Sequence, residues 1–82
     1  MSSGQTHAAI SSEFARLLKE ERKKRGLSLN VLAQRAGLAR QTVSYIEKEM
    51  QSPSLDTLLR ISLALGVKLE KLIAEARRRA AA

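Results

Sequence analysis

The chain has 82 residues, and its 15 Lys plus Arg against 8 Asp plus Glu give a formal charge of +7. One domain with a modest core is all this length allows, and such a core cannot wall a deep active site, so the reading is a non-enzyme. With no Cys and a single His (His7), neither a disulfide framework nor a Cys/His metal cluster can be built, and no cofactor is implied.

No apolar run approaches the ~20 residues of a membrane span. The opening stretch, Met1 to Ala9, lacks the basic flank and apolar segment of a secretory signal. The expectation is a cytoplasmic, nucleoid-associated chain with no membrane partner, whose positive charge suits a polyanion. The apolar set is mostly Leu and Ala, while aromatics are limited to Phe14 and Tyr45. Strand-favouring residues are thin and helix formers dominate, so the fold class is all-α.

Residues 1–10 are small, polar and without period, and read as a loose arm that contains His7. Ser11 or Ser12 can cap a first helix running from Glu13 to about Arg25, with Ile10, Phe14, Leu17 and Leu18 at helical spacing. Gly26 ends it. Ser28 caps a short second helix with Val31, Leu32 and Ala36 inward, and Gly37 stops it. A third helix runs from Ala39 or Arg40 to about Lys48, with Val43 and Ile46 buried. A polar loop ending in Pro53 leads to Ser54, the cap of a fourth helix over Leu55 to Leu65, which Gly66 ends. Its inward face is expected to be Leu55, Leu58, Ser62 and Leu65, with Leu59 and Leu63 to one side. A fifth helix starts near Lys68 and uses Leu69, Leu72, Ile73 and Ala76 inward. Residues 77–82, with Arg77, Arg78 and Arg79, read as a frayed basic tail, which leaves 11–76 as the domain.

Two short helices joined by a Gly-containing turn make a helix-turn-helix at helices 2 and 3. Ala33 is small where the helices cross, and Val43 and Ile46 pin the third helix to the core. The reading leaves Arg40, Gln41, Ser44, Tyr45 and Lys48 facing outward, where a helix in the major groove reads base edges or grips phosphates.

The run Leu32-Ala33-Gln34-Arg35-Ala36-Gly37-Leu38-Ala39-Arg40-Gln41-Thr42-Val43-Ser44-Tyr45-Ile46-Glu47, followed by Pro53-Ser54-Leu55 and Ala64-Leu65-Gly66-Val67, resembles the phage-repressor-like (XRE or lambda-repressor-type) helix-turn-helix family. The resemblance covers residues 14–73, about three quarters of the chain. It implies a compact five-helix domain, sequence-specific binding of double-stranded DNA, and a homodimer on a palindromic operator. Base-reading positions of the family fall on Arg40, Gln41 and Tyr45. Thr42 and Ser44 are secondary or phosphate contacts, and Lys48 is a phosphate clamp. The family also pairs an Arg of the first helix with the Glu of the Ile-Glu dipeptide, which here means Arg22 with Glu47.

Three positions depart from the family pattern. Leu29 replaces a frequent Gln, so Ser28 or Asn30 takes over a phosphate contact. Ala39 replaces the Ser cap of the recognition helix. Glu49 stands where Gly is frequent and opposes phosphate approach if its carboxylate faces DNA.

Leu59 and Leu63 form a candidate dimer interface with part of helix five. The regulator types open to so small a chain are a phage or plasmid repressor, a restriction-modification controller and an antitoxin, the last with a toxin partner. Two other classes stay open beside DNA binding: a protein-interaction module that kept the fold, and a helix-one binder of anionic membranes. The charge is spread, at +4 over residues 1–50 and +3 over 51–82, and Arg40 to Glu49 is neutral. Net charge therefore points to a polyanion without saying which face meets it.

Overall fold

The first helix opens earlier than expected, at a threonine cap. Thr6 Oγ accepts from the Ala9 N–H at 3.1 Å, so α1 spans His7–Lys24 and begins before the expected Glu13. Ala8, Ala9 and Ile10 fit a helix, and an earlier cap lets Ile10 join Phe14 on the apolar stripe. A computed structural model describes residues 6–82, so residues 1–5 of the expected arm lie outside the described residues, while 7–10 are helical. The other helices are α2 (Leu29–Ala36), α3 (Arg40–Glu47), α4 (Leu55–Leu65) and α5 (Leu69–Ala81), with no strand among the described residues.

Helix starts follow the cap chemistry. Ser28 Oγ accepts from Val31 N–H and Ser54 Oγ from Thr57 N–H, each at 3.1 Å, whereas Ala39 offers α3 no side-chain cap. The ends of α1 to α4 share one device. A left-handed residue is followed by an N–H that reaches back five residues, as in Leu38 N–H to Ala33 O at 2.8 Å after Gly37 at φ 70°. α1 and α4 close the same way through Gly26 and Gly66, and the apolar residue that follows each of these three glycines packs on the core. The end of α3 repeats the bond, Met50 N–H to Tyr45 O at 2.8 Å, but with Glu49 at φ 60° and with Met50 left 65% exposed.

The core joins Leu17 and Leu18 of α1, Leu32, Ala33 and Ala36 of α2, Val43 and Ile46 of α3, Ile61 and Leu65 of α4, and Leu72 of α5. Leu32, Ile61 and Val43 are the largest of the fully buried side chains, each holding about 1.5–3 kcal/mol of transfer free energy. The α4 face differs from the expected one. Its inward row is Leu58, Ile61 and Leu65, spaced i, i+3, i+7, and Leu55 is exposed because it precedes the part of α4 that lies on the core. Ser62, at the edge of that row, is buried with its hydroxyl donating to Leu59 O at 2.9 Å. Ile73 lies at the rim of α5 and stays partly exposed.

The expected basic tail is a continuation of α5. Arg79 Nη1 donates to both carboxylate oxygens of Glu20 on α1, at 3.0 and 3.1 Å, and its Nε donates to Glu75 at 3.0 Å. This cross-link to α1 replaces the frayed end and places the helix limit at Ala81.

Candidate nucleic-acid interface

α3 is held from behind by apolar contacts and one ion pair. Val43 and Ile46 enter the core. Arg22 Nε donates to Glu47 Oε2 at 2.7 Å and Nη2 to Oε1 at 3.0 Å, while Nη1 donates to Leu27 O at 2.9 Å. The guanidinium thus ties the last residue of α3 to α1 and to the chain entering α2. The hydrogen bond it donates to Glu47 raises the Arg22 pKa further above its ordinary value, against the opposing effect of burial. Side chains of both partners are at least nine-tenths buried, so the pair sits in a low-dielectric setting where its fork geometry fixes orientation.

That anchoring decides what remains outside. At 100° per residue Gln41, Tyr45 and Lys48 fall within an arc of about 60° on the far side of α3. Gln41 and Lys48 are exposed and Tyr45 is half-buried, while Arg40 is exposed at the first turn and Thr42 is half-buried beside it. Gln41 Nε2 donates to Tyr45 Oη, so two of the three expected base readers stand joined one turn apart. Arg40 and Lys48 form no ion pair among the described residues, which leaves both cations available to an anionic partner.

Ser44 is not on this arc. The expectation that it faces outward is corrected, since it is buried. It lies three residues before Glu47, and the pairing of Glu47 with Arg22 draws that side of α3 against α1. Ser28 is exposed with its oxygen engaged as the α2 cap, which leaves its hydroxyl proton to donate outward. Asn30 is exposed one turn into α2. Leu29 turns toward the core and packs on it, which accounts for an apolar residue at the first position of a helix. The Glu49 carboxylate accepts from Ser12 Oγ of α1, so it is occupied on the α1 side.

One side chain near the motif carries little sequence signal. Arg60 of α4 donates to Asp56 at 2.8 Å, and its Nη1 lies 3.1 Å from where a Cβ on Gly37 would stand. The i, i+4 spacing of Asp56 and Arg60 is legible in the sequence, but their approach to the turn between α2 and α3 is set by the packing of α4 on α2. No cluster of His, Asp or Glu among the described residues has the arrangement of a metal site. No helix of the described residues is long and apolar enough to cross a membrane.

Residues 18–72 match the helix-turn-helix family HTH_3. An uncharacterized HTH-type transcriptional regulator of Methanothermobacter thermautotrophicus is 48% identical over 50 residues, which are 61% of this chain and 72% of that protein. The HTH-type transcriptional regulator SinR of Bacillus subtilis is 39% identical over 59 residues, 71% of this chain; the matched part is 53% of SinR, so the chain spans about half of that relative's length. A crystal structure of SinR in complex with DNA superposes with a TM-score of 0.68 at 37% identity, covering 72% of this chain and 95% of that one. The restriction-modification controller protein C.AhdI from Aeromonas hydrophila superposes with a TM-score of 0.74 at 32% identity, covering 80% of this chain and 98% of the controller. These similar proteins are transcriptional regulators and a restriction-modification controller. The chain belongs to the HTH_3 helix-turn-helix family and has the DNA-binding fold of its transcriptional regulators.

Proposed function

We propose that the chain binds double-stranded DNA sequence-specifically, inserting α3 into the major groove as a homodimer on a pseudo-palindromic operator. The observation that carries this reading is the outer face of α3, where Arg40 and Lys48, without an ion pair among the described residues, flank the joined Gln41 and Tyr45 while Val43, Ile46 and the Arg22–Glu47 pair anchor the helix. Rigid presentation matters because base readout discriminates only if side chains arrive in register. Arg40 pairs with guanine through its two-pronged guanidinium and Gln41 with adenine, each good contact discriminating by roughly 1–3 kcal/mol. Lys48, with Ser28, Asn30 and Thr42 in support, grips phosphates and sets orientation without choosing sequence. The DNA complex of SinR, a protein of similar sequence and fold, supports the reading.

Two copies related by a twofold axis place their recognition helices about one turn of duplex apart, ~34 Å, which fits inverted half-sites. Selection of bound sequences from random duplexes tests activity, symmetry and spacing at once. The expected result is an enriched inverted repeat whose binding weakens steeply with salt. Failure to enrich any sequence overturns the reading in favour of a domain that kept the fold for protein contacts.

A further inference from the structure

A glutamine left to itself is an ambiguous reader of bases. Its amide has N–H donors at one end and a carbonyl acceptor at the other, and a half-turn exchanges them. In the major groove adenine offers one acceptor, N7, and one donor, N6–H, whereas guanine offers the acceptors N7 and O6. One orientation of the amide therefore suits adenine and the other suits guanine. Gln41 is exposed on the outer side of α3, so its neighbours decide which orientation it presents.

Among the described residues the Gln41 side chain has one hydrogen-bond partner, Tyr45, whose Oη accepts from Nε2. Tyr45 is the stiffer of the two. Its ring is half-buried, and its backbone oxygen accepts from Met50 N–H at 2.8 Å where α3 closes. Ile46, next in the chain, is fixed in the core. A flexible side chain thus leans on a firm post one helical turn away.

We infer that Tyr45 is a positioning residue that makes Gln41 select adenine over guanine through a one-way chain of hydrogen bonds. The inference rests on the DNA reading proposed above and adds how one base pair is chosen. A tyrosine hydroxyl both donates and accepts, so its partner beyond Gln41 sets the direction. Lys48 follows Tyr45 by three residues on the same side of α3 and brings a phosphate close. The hydroxyl donates to that anion, because a charge-assisted bond is stronger than one to a neutral amide. Its lone pair then takes the Gln41 N–H, which is the direction the bond has in this structure. The amide is left with Oε1 and one N–H, the set that matches N6–H and N7 of adenine. Against guanine the same set makes one hydrogen bond at most and turns Oε1 toward an acceptor. Pairing with Tyr45 also orders Gln41 before DNA arrives, so less side-chain freedom is lost on binding.

Two measurements on the full chain test the inference. Without DNA, NMR should give cross-peaks between the Gln41 Nε2 protons and the Tyr45 ring, and Tyr45→Phe should shift one of those protons. Their absence overturns the pairing. With DNA, binding sites are selected from random duplexes by the wild type, Gln41→Ala, Tyr45→Phe and the double variant. The base pair at which Gln41→Ala loses preference should carry adenine in the wild type, favoured over guanine by at least about fivefold. Tyr45→Phe should bring that ratio near one while the preference read by Arg40 persists, and the double variant should lose no more there than Gln41→Ala. The salt dependence of Tyr45→Phe should match the wild type, because a hydroxyl carries no charge. Guanine at that pair overturns the inference, as does a Tyr45→Phe effect on a different pair or losses that add in the double variant. A wild type that selects no sequence overturns the DNA reading and this role with it. Wild-type selection with an unmoved Tyr45→Phe profile overturns the role of Tyr45 alone.

Discussion

The outer face of α3 and the seam between α1 and α5 are built from similar charged residues and use them in opposite ways. Along the seam Glu75 accepts from both Arg78 and Arg79, and Arg79 reaches across to Glu20. On α3 Arg40 and Lys48 have no carboxylate partner among the described residues. A cation whose hydrogen bonds are already spent on a neighbouring carboxylate offers a phosphate little; one left unpaired can release counterions and bind it. Arg78 and Arg79 of α5 therefore add to the formal charge without adding much to the DNA-facing field. Pairing withdraws Arg78 and Arg79 from an anionic partner, while the packing of α3 sets Arg40 and Lys48 on its outer side.

The Arg22–Glu47 pair is where the two uses meet, since it is a paired cation that serves the unpaired ones by fixing α3. Arg22→Met gives the largest expected effect, because it strands the Glu47 carboxylate in a buried setting. The loss is about 3 kcal/mol of stability, which lowers the melting temperature of a domain this size by about 10 °C or more. Arg79→Met, on the exposed seam, should change the melting temperature far less, and thermal denaturation of the two variants side by side checks the contrast. An equal loss from both would erase the distinction between an anchor and a surface stitch.

Next in size is the division of labour on α3 itself. Arg40→Ala should cost about 1–3 kcal/mol on the preferred duplex and relax preference at one base pair. Lys48→Ala should weaken all duplexes alike and lower the slope of log affinity against log salt by about 1. Fluorescence anisotropy with matched and single-mismatch duplexes over a salt series separates the two, and identical profiles would contradict the roles given to Arg40 and Lys48.

Much of this arrangement is legible in the sequence, and the parts that are not have physical reasons. Ser28, Ser54, Gly37 and Gly66 act locally, through a cap hydroxyl or a left-handed backbone, so their positions announce helix ends directly. The missing cap at Ala39 is equally local. The start of α1 escapes a sequence reading because Thr6, Ser11 and Ser12 are all competent caps, and the one used is Thr6, whose hydroxyl accepts from Ala9 N–H. Ser44 escapes it because its burial depends on an ion pair between residues 25 positions apart. The α4 face is misplaced because the helix carries five apolar residues at or near one side, among Leu55, Leu58, Leu59, Leu63 and Leu65, and the tertiary choice of Ile61 as its centre rotates them. Charge runs are the least legible of all. Arg78 and Arg79 look solvated until Glu75 and Glu20 are seen around them.

A smaller effect is expected at the end of α3, where the molecule departs from its own habit. The three other helix ends of this type place Gly at positive φ, and this one places Glu49. Relief of the left-handed strain by Glu49→Gly is worth up to about 1 kcal/mol, reduced by loss of the Ser12 hydrogen bond and by the greater backbone freedom of glycine. A small gain in chemical-denaturation midpoint is expected. A clear loss would mean that the Ser12–Glu49 contact outweighs the backbone strain and clamps α3 to α1.

The smallest expected effect returns to the seam. Hydrogen bonds from Arg78 and then Arg79 hold the Glu75 carboxyl down to about 2, below its ordinary value. Because the folded value lies below the unfolded one, the contribution of Glu75 to stability is complete above the usual carboxylate range near 4.5 and fades as pH falls toward 2. The Glu75 side chain is half-buried at the protein surface, within reach of solvent ions, so added salt should weaken the effect by screening. An NMR titration of the Glu75 side-chain carboxyl checks this: the midpoint should lie near 2 at low salt, rise in 1 M salt on the order of magnitude screening allows, and rise again in Arg79→Gln. A midpoint at the ordinary value in dilute buffer would mean that these arginines are unpaired in solution. They would then be as available to DNA phosphates as Arg40 and Lys48, and the contrast between the two faces would have to be redrawn with α5 on the binding side.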